Sequence, residues 1–356
     1  MNEPANFGTN EKHPWYFDEA DHPNDEPLQC PKEEGNEDAH WDMPPYKTQN
    51  VWVFGKDAYL ATKTLCMSAV QANGTLRHYD VKSLYGWSES KITQQGLYKA
   101  TNKRGIVISR STFASNGRYC GHWLGDNSAT WEDLQSAVIG AQEFNLFGMP
   151  YIGSDICGFN RDTEEELCLR WHQMGAFHTF MRNHNARRHI AQDPAQWPSV
   201  AEATKKAALF RYSYLPYLFS LHFVASLDGG TVIRPLFYEF PKDRRTHDIN
   251  YQFLWGSSML IAPVVHKGAT SVEVYLPKDD WYSLFDYNYG QLIEYGDQAF
   301  PAPRTSLIPV LVRGRKHSGS ILPRQQPNVT TEYTRKNAFE LLIAPGTVFM
   351  QTNNLK

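Results

Sequence analysis

The sequence predicts an α/β fold followed by an all-β region. From about residue 52 to 235, short apolar runs alternate with longer segments of helical pattern, which is typical of a parallel sheet or barrel. After about residue 258, short strand-like runs are separated by Pro, Gly and Asp, and no long helical pattern appears. The length of 356 residues fits this division, since it favours two domains or one large barrel with an appendage.

The first region contains four strand candidates, with helical segments between them. One helix is predicted after Thr130, and another after Thr163, where Glu166 completes a capping box. In such a box the Thr hydroxyl and the Glu carboxylate bind the free N–H groups of the first turn. Four strand and helix units amount to about half of a (β/α)₈ barrel. The strand candidates are "GIVISR" (105–110), "GMPYIGSD" (148–155), "HTFMRNH" (178–184) and "TVIRPLF" (231–237).

We predict three parts along the chain. Residues 1–257 form the half barrel and include an acidic surface loop at 11–42, which is rich in Asp, Glu, Pro and Gly. Residues 258–330 have the short strands of a β-sandwich. Residues 331–356 are predicted to start a further β domain that stops early.

Composition and charge argue against several functional classes. A formal net charge of −3, with Lys and Arg scattered along the chain, argues against nucleic acid as a partner. The longest apolar stretch, residues 212–227, contains Pro216 and polar side chains, so it predicts a buried helix and not a membrane segment. We find no metal motif, dinucleotide fingerprint or P-loop, and therefore expect neither a metal nor a cofactor. Aromatic residues make up 13% of the chain, which suits sugar-binding surfaces and a large aromatic core equally.

Polar side chains lie at the C-terminal ends of three of the strand candidates. Arg110 ends the first, Asp155 ends the second, and Arg182, Asn183 and His184 lie at the end of the third. The C-terminal strand ends of such a barrel form its active face. We therefore expect these side chains to be functional and not part of the core.

The loop at 109–131 contains the candidate general acid. Asp126 lies between Gly125 and Asn127, with Trp123 and Trp131 close in sequence. Indole rings would desolvate the carboxyl group and favour its protonated form, as a general acid needs. The alternative interpretation is that Gly-Asp-Asn is simply a turn that caps the next helix.

Seven longer segments are similar to glycoside hydrolase family 31. Within that family the sequence resembles the maltase-glucoamylase, sucrase-isomaltase and lysosomal α-glucosidase group, from Met1 to about residue 343. The resemblance implies a retaining mechanism and a preference for α-glucosides, with maltose and α-glucans as substrates. The segments are "MNEPANF", "HYDVKSLYGW", "RGIVISRSTF", "GRYCGHWLGDNSATW", "IGSDICGFN", "GAFHTFMRNHN" and "VIRPLFYEFP".

The resemblance also implies roles for particular residues. Asp126 matches the general acid/base of the family. Further matches are the residues that bind hydroxyls of the innermost sugar and the aromatic walls of its pocket. The first set is Arg110, Asp155 and His184, and the second is Trp123 and Phe159.

The family's nucleophile is the Asp directly before Met-Asn-Glu, at the end of the fourth barrel strand. Met1 matches the position after it, so the resemblance implies that the chain is the C-terminal half of the barrel, a fragment without its nucleophile. Because a retaining glycosidase needs two carboxylates, we expect the isolated chain to be inactive. Glu3 is a poor substitute, since attack tolerates little misplacement.

The five cysteines allow two interpretations of the redox environment. From spacing alone, five reduced core cysteines are the simpler interpretation. The resemblance instead implies the disulfides Cys30–Cys66 and Cys157–Cys168, with Cys120 as a buried free thiol. This pairing predicts the secretory pathway for the full-length protein.

Two further sequence features bear on export. The sequons at Asn73 and Asn328 also fit an exported, glycosylated protein. The first residues contain no signal peptide.

Two alternatives stay open at this point. A non-catalytic carbohydrate-binding protein could keep the sugar-binding residues without the nucleophile. Another member of the family, such as an α-xylosidase or a transglycosylase, would share the same motifs. The motifs fit α-1,4 and α-1,6 linkages equally.

Overall fold

The computed structural model describes residues 3–14, 16, 26–33, 35–45, 59–315 and 318–346. The chain divides into two compact units, Met1–Cys120 and Gly121–Lys356. Several predicted features lie outside the described residues. They are Met1, parts of the acidic loop and residues 347–356 of the predicted distal domain.

The first unit has a small core closed by a disulfide. Cys30 and Cys66 are bonded and pack with Ala61 and Met67. The described part of the acidic loop is mostly exposed, but Asp42 is fully buried and accepts a hydrogen bond from Met67 N. The elements of this unit are α1 (Ala39–Asp42), β1 (Val70–Gln71), β2 (Leu76–Arg77), α2 (His78–Val81), α3 (Tyr85–Thr101) and β3 (Ile108–Ser109).

The second unit begins with parallel strands and helices, as the α/β pattern predicts. Strand β4 pairs in parallel with β5, and β6 pairs in parallel with β7. The helix predicted after Thr130 is present, and the Thr130 hydroxyl accepts a hydrogen bond from Asp133 N over 3.2 Å. These elements are β4 (Gly121–Trp123), α4 (Trp131–Leu146), β5 (Ile152–Gly153), β6 (Asp155–Ile156), α5 (Glu165–Gly175), β7 (Arg182–Asn183), α6 (Pro198–Ser213) and α7 (Leu215–Asp228).

Helix α5 starts one residue later than the predicted capping box requires. Its N-cap residue is Glu164, and the buried Thr163 hydroxyl has no hydrogen-bond partner among the described residues. The Glu166 carboxylate instead accepts a hydrogen bond from Gly268 N and forms an ion pair with Arg304. The capping-box prediction is therefore wrong, because tertiary partners compete for Glu166.

The sequence predicts a buried helix at 212–227. Helices cover this segment, but part of it is exposed, so the prediction of burial is wrong. Helix α7 places Phe219, Phe223 and Leu227 at the surface, with exposed fractions between 54% and 67%. Their spacing of four residues puts them on one helix face. Among the helices that the structure describes, none combines the length and the apolar character that a membrane span requires.

The rest of the second unit is antiparallel β-structure. Six strands form one sheet in the order β13-β12-β15-β10-β9-β8, and β11 pairs with β14. The remaining elements are β8 (Ile233–Pro235), α8 (Leu236–Glu239), β9 (Phe253–Trp255), β10 (Met259–Ile261), β11 (Ser271–Leu276), β12 (Trp281–Ser283), β13 (Leu292–Ile293), β14 (Gly296–Pro301), β15 (Val310–Arg313), β16 (Ser320–Gln325), α9 (Thr331–Thr334) and β17 (Phe339–Ala344).

Both sheets contribute to one apolar layer. Leu260 and Leu311 of the six-stranded sheet pack in the same buried cluster as Val274, Leu276 and Phe300 of the β11–β14 pair. A shared core between two sheets is the packing of a β-sandwich.

One strand candidate belongs to this β region and not to the barrel. The segment 231–237 contains β8, which pairs antiparallel with β9 in the six-stranded sheet. The prediction of a fourth barrel strand is wrong here, because a short apolar run does not reveal its pairing partner. The sheet also crosses the boundary predicted at 257/258, since β8 and β9 precede it. The remaining predicted domain bounds stay predictions.

Candidate active site

Strand ends of the second unit bring Trp123 and Asp155 together. Trp123 ends β4 and Asp155 begins β6, and the indole Nε1–H donates to Asp155 Oδ1 over 2.9 Å. Arg182 begins β7 directly opposite Asp155, with Nη1 at 4.0 Å from the same oxygen. The guanidinium group also lies over the Trp123 ring, 5.8 Å from its centroid. The three side chains therefore form one contact group.

The Asp155 carboxyl group is fully buried and incompletely paired. Its Oδ2 atom has no hydrogen-bond partner among the described residues. Burial raises the pKa of Asp155 to about 6, although Arg182 and the Trp123 N–H act in the opposite direction. A buried acceptor without a donor is costly, so a ligand hydroxyl or a proton on Oδ2 would stabilise it.

The loop that contains Asp126 is joined by hydrogen bonds to the loop that follows Asp155. The Asn127 side chain donates to the Asp155 carbonyl over 3.0 Å and accepts from Phe159 N over 3.0 Å. Gly158 makes this approach possible, because its φ is +94° and a Cβ would lie 2.3 Å from Ala129 N.

Asp126 itself is exposed, so the predicted desolvation by indole rings is wrong. The alternative, a turn that caps the next helix, is not what the structure has either, since Thr130 caps α4. The negative charge of Asp126 acts to raise the pKa of Asp155 and of His184, although the pKa of His184 is lowered overall. This electrostatic coupling places Asp126 close to those two side chains.

Phe159 and His184 form a second contact group of the candidate site. Their rings stack with centroids 5.2 Å apart and planes 24° apart. Burial, and then the charge of Arg182, lower the pKa of His184. A neutral imidazole beside an aromatic face can both hydrogen-bond and pack against a sugar.

Arg110 is the one predicted sugar-binding residue in the first unit. It follows β3, and its Nε donates to Glu3 Oε1 over 2.5 Å. The other predicted residues, Asp126, Asp155, His184, Trp123 and Phe159, lie together in the second unit.

The cysteines are paired as the resemblance implies, and both sequons are at the surface. Cys157 and Cys168 are bonded in the second unit, as Cys30 and Cys66 are in the first, and Cys120 is a buried free thiol. The sequon residues Asn73 and Asn328 are both exposed.

One group among the described residues is compact enough to consider for a metal. Atoms of Cys157, Cys168 and His172 lie within 4.8 Å of one another. Both sulfurs form the disulfide, and Asn183 Nδ2 donates to His172 Nε2, which leaves the ring proton on Nδ1 facing Cys168 O. Neither thiolates nor a free ring nitrogen is presented, so these residues do not fit a metal.

The sequence gives no specific contact for two residues of the site. It predicts Arg182 to be functional only as one of several polar strand-end residues, and the pairing with Asp155 depends on the β6–β7 register. It predicts Asn127 only as part of a turn, although the Asn127 amide joins the two loops. The signal for both was their position beside stronger candidates.

Family models match most of the chain. The glycosyl hydrolases family 31 TIM-barrel domain matches residues 1–221, and the glycosyl hydrolase family 31 C-terminal domain matches residues 229–322. The predicted fold class, half of a (β/α)₈ barrel followed by a β domain, is confirmed.

Individual proteins agree with the family models. The chain is 42% identical over 306 residues to probable maltase-glucoamylase 2 of Homo sapiens, covering 85% of this chain and 12% of that protein. It is 39% identical over 307 residues to alpha-xylosidase 1 of Arabidopsis thaliana, covering 86% and 33%.

A solved structure shows the same fold. The Flavobacterium johnsoniae family 31 dextranase complexed with isomaltotriose superposes with a TM-score of 0.72 at 26% identity, covering 79% of this chain and 35% of that one. The chain thus spans about a third or less of each of these proteins.

Proposed function

Because the chain belongs to glycosyl hydrolase family 31, we propose that it forms part of a retaining α-glucosidase that releases glucose from the non-reducing ends of α-glucans and maltose. Asp126 protonates the glycosidic oxygen as the bond to C1 breaks. A second carboxylate attacks C1 and forms a covalent glucosyl intermediate. Asp126 then takes a proton from water, which attacks C1 and releases glucose with retained configuration.

The observation that carries this proposal is the unpaired oxygen of Asp155. Asp155 Oδ2 is a buried acceptor that has no hydrogen-bond partner among the described residues, while the Trp123 indole and the Arg182 guanidinium both face Oδ1 of the same carboxyl group. A sugar hydroxyl is the donor that such an oxygen lacks. Phe159 and His184 add flat faces on which a pyranose ring packs.

The exposure of Asp126 suits its two steps. A general acid that later activates water needs access to both the leaving group and the solvent. The contacts of the neighbouring Asn127 join this loop to Asp155 and Phe159, and Asp126 is exposed.

We propose further that the isolated chain does not turn over substrate. The resemblance gives one catalytic carboxylate within the chain, Asp126, and the retaining mechanism needs a second at about 5–5.5 Å. The chain then binds oligosaccharide without hydrolysing it.

A titration of the purified chain with acarbose tests the sugar site. We expect saturable heat of binding in calorimetry, and Asp155→Asn should weaken it because the amide cannot accept at both positions. Asp228→Asn, an exposed residue of the same type, is the matched control. A folded chain that shows no heat of binding would contradict the proposal.

An α-xylosidase is the second candidate, because one relative at 39% identity bears that name. The two sugars differ by the hydroxymethyl group at C5. Competition of nitrophenyl α-glucoside and nitrophenyl α-xyloside against acarbose separates the two: tighter binding of the xyloside would replace the glucosidase proposal.

We place the full-length protein in the secretory pathway. Two disulfides, Cys30–Cys66 and Cys157–Cys168, persist in oxidising compartments. The exposed sequons at Asn73 and Asn328 are accessible for glycosylation there.

A further inference from the structure

A buried glutamine lies behind the sugar-binding strand ends. Gln192 is 3% exposed and follows the loop that starts at His184. Its side-chain Nε2 lies 3.2 Å from Ile156 O and 3.4 Å from His184 O. Ile156 ends β6 and His184 directly follows β7, so one amide group bridges the C-terminal ends of the two strands.

Asn183 holds both the side chain and the backbone of Gln192. Gln192 Nε2 also contacts Asn183 Oδ1 at 3.3 Å, and Asn183 Nδ2 donates to the Gln192 carbonyl over 2.7 Å. Asn183 in turn donates to His172 Nε2 over 3.1 Å, beside the Cys157–Cys168 disulfide. The amide therefore cannot rotate without breaking several buried contacts.

The residues held in this way border the sugar site. Ile156 directly follows Asp155, and Cys157 is in the left-handed region, with a φ of 75° that a non-glycine residue rarely adopts. His184 stacks on Phe159, and Phe159 O accepts from Ala186 N over 2.9 Å. The pairing of β6 and β7 covers only two residues on each strand, so it alone gives little restraint beyond Ile156 and Asn183.

We propose that Gln192 is a positioning residue of the sugar site, which sets the separation of Asp155 and His184 by binding the carbonyls of Ile156 and His184. This inference rests on the proposed function, because positioning matters only if these side chains bind a sugar. Gln192 does not touch the sugar itself; it acts through the two strand ends.

The test compares two variants of Gln192 with a matched buried glutamine in the full chain. Gln192→Met keeps the volume and removes the donor, and Gln192→Glu at pH 7.5 turns a carboxylate toward two carbonyl oxygens. Gln142 is 6% exposed and likewise donates to two carbonyls, those of Val138 and Asn250, outside the site. Gln142→Met therefore reports the cost of losing a buried amide anywhere in this unit.

The readouts are acarbose affinity by calorimetry and thermal stability by circular dichroism. We expect Gln192→Met to weaken acarbose binding by about tenfold to a hundredfold, as small misplacements of site groups do. Gln192→Glu should weaken it further, and Gln142→Met should lower the melting temperature similarly without changing the affinity.

The outcomes distinguish a failure of the proposed function from a failure of the positioning role of Gln192. If wild-type chain does not bind acarbose, the proposed function fails whatever Gln192 does. If wild type binds and Gln192→Met binds equally well, the positioning role is refuted. Equal loss of affinity in Gln142→Met would also refute it, since the effect would then be one of general stability.

Discussion

Replacing Asp155 by Asn should change how the stability of the second unit depends on pH. The folded protein holds the pKa of Asp155 at about 6, above its ordinary value of 3.8, mainly because the carboxyl group is buried. A raised pKa means that the folded state binds the proton more tightly than the unfolded chain does. The stabilisation from this proton is fully present below pH 3.8 and is lost as the pH rises through 6.

The size of the effect follows from the two pKa values. The gap between 3.8 and about 6 corresponds to roughly 3 kcal/mol of folding free energy. About 2 kcal/mol of this falls between pH 7.5 and pH 4.5. Asp155 is fully buried, so solvent screening does not reduce the figure. The Asn side chain carries no such proton, so the Asp155→Asn variant lacks this stabilisation at either pH.

Urea unfolding at pH 7.5 and pH 4.5 measures the effect. The free energy of unfolding of Asp155→Asn minus that of wild type should be about 2 kcal/mol larger at pH 7.5 than at pH 4.5. Buried His172 and His178 act in the opposite direction, because their pKa values are lowered to about 4 and about 3. Their contribution is lost as the pH falls below 6.5, equally in both proteins, so the difference between variants removes it.

The exposed residue Asp228 provides the control. Asp228→Asn should give the same difference from wild type at both pH values. A difference for Asp155→Asn that is also independent of pH would refute the reasoning, because it would show that Asp155 is not protonated preferentially in the folded state.

Three further predictions concern the surroundings of the site. His178→Leu should raise the free energy of unfolding by about 1–2 kcal/mol at pH 7.5 in urea unfolding, because both nitrogens of this buried ring lack partners among the described residues. The same change should flatten the loss of stability below pH 6.5, since the folded pKa of His178 is lowered to about 3. Replacing Cys157 and Cys168 together by Ser should cost about 3 kcal/mol, the loop-closure value for residues 11 apart, with no further loss on adding reductant. Trp123→Phe should raise the pKa of Asp155 above about 6 by removing the indole donor, and it should weaken acarbose binding in calorimetry.

Local signals in the sequence predicted the elements that depend on neighbouring residues. Helix α4 starts at the residue after Thr130, because the hydroxyl and the first-turn N–H lie within one turn of the chain. The polar residues at the ends of the strand candidates predicted Asp155 and His184 as site residues, and the structure brings both together in the second unit. Their roles remain part of the proposal.

The incorrect predictions share a different cause, since each depended on distant partners. Residues 231–237 pair with β9, which no local pattern encodes. Glu166 binds Gly268 and Arg304, more than a hundred residues away, and so does not form a capping box with Thr163. Asp126 has tryptophans close in sequence, but the folded loop leaves this residue exposed.

The proposed function requires that the second unit supplies the acid/base and the sugar site of an α-glucosidase, while the nucleophile is not among the residues identified in this chain. Azide can replace a missing nucleophile: its terminal nitrogen bonds to C1 as the C1–O bond breaks, and Asp126 gives its proton to the leaving oxygen. We would measure glucose release from maltose by the purified chain, with and without azide, because a sugar leaving group, unlike nitrophenolate, needs the proton of Asp126. The account predicts release only with azide, β-glucosyl azide as product, and a rate roughly a hundredfold lower in Asp126→Asn. Release without azide, or azide-dependent release that Asp126→Asn leaves unchanged, would contradict it.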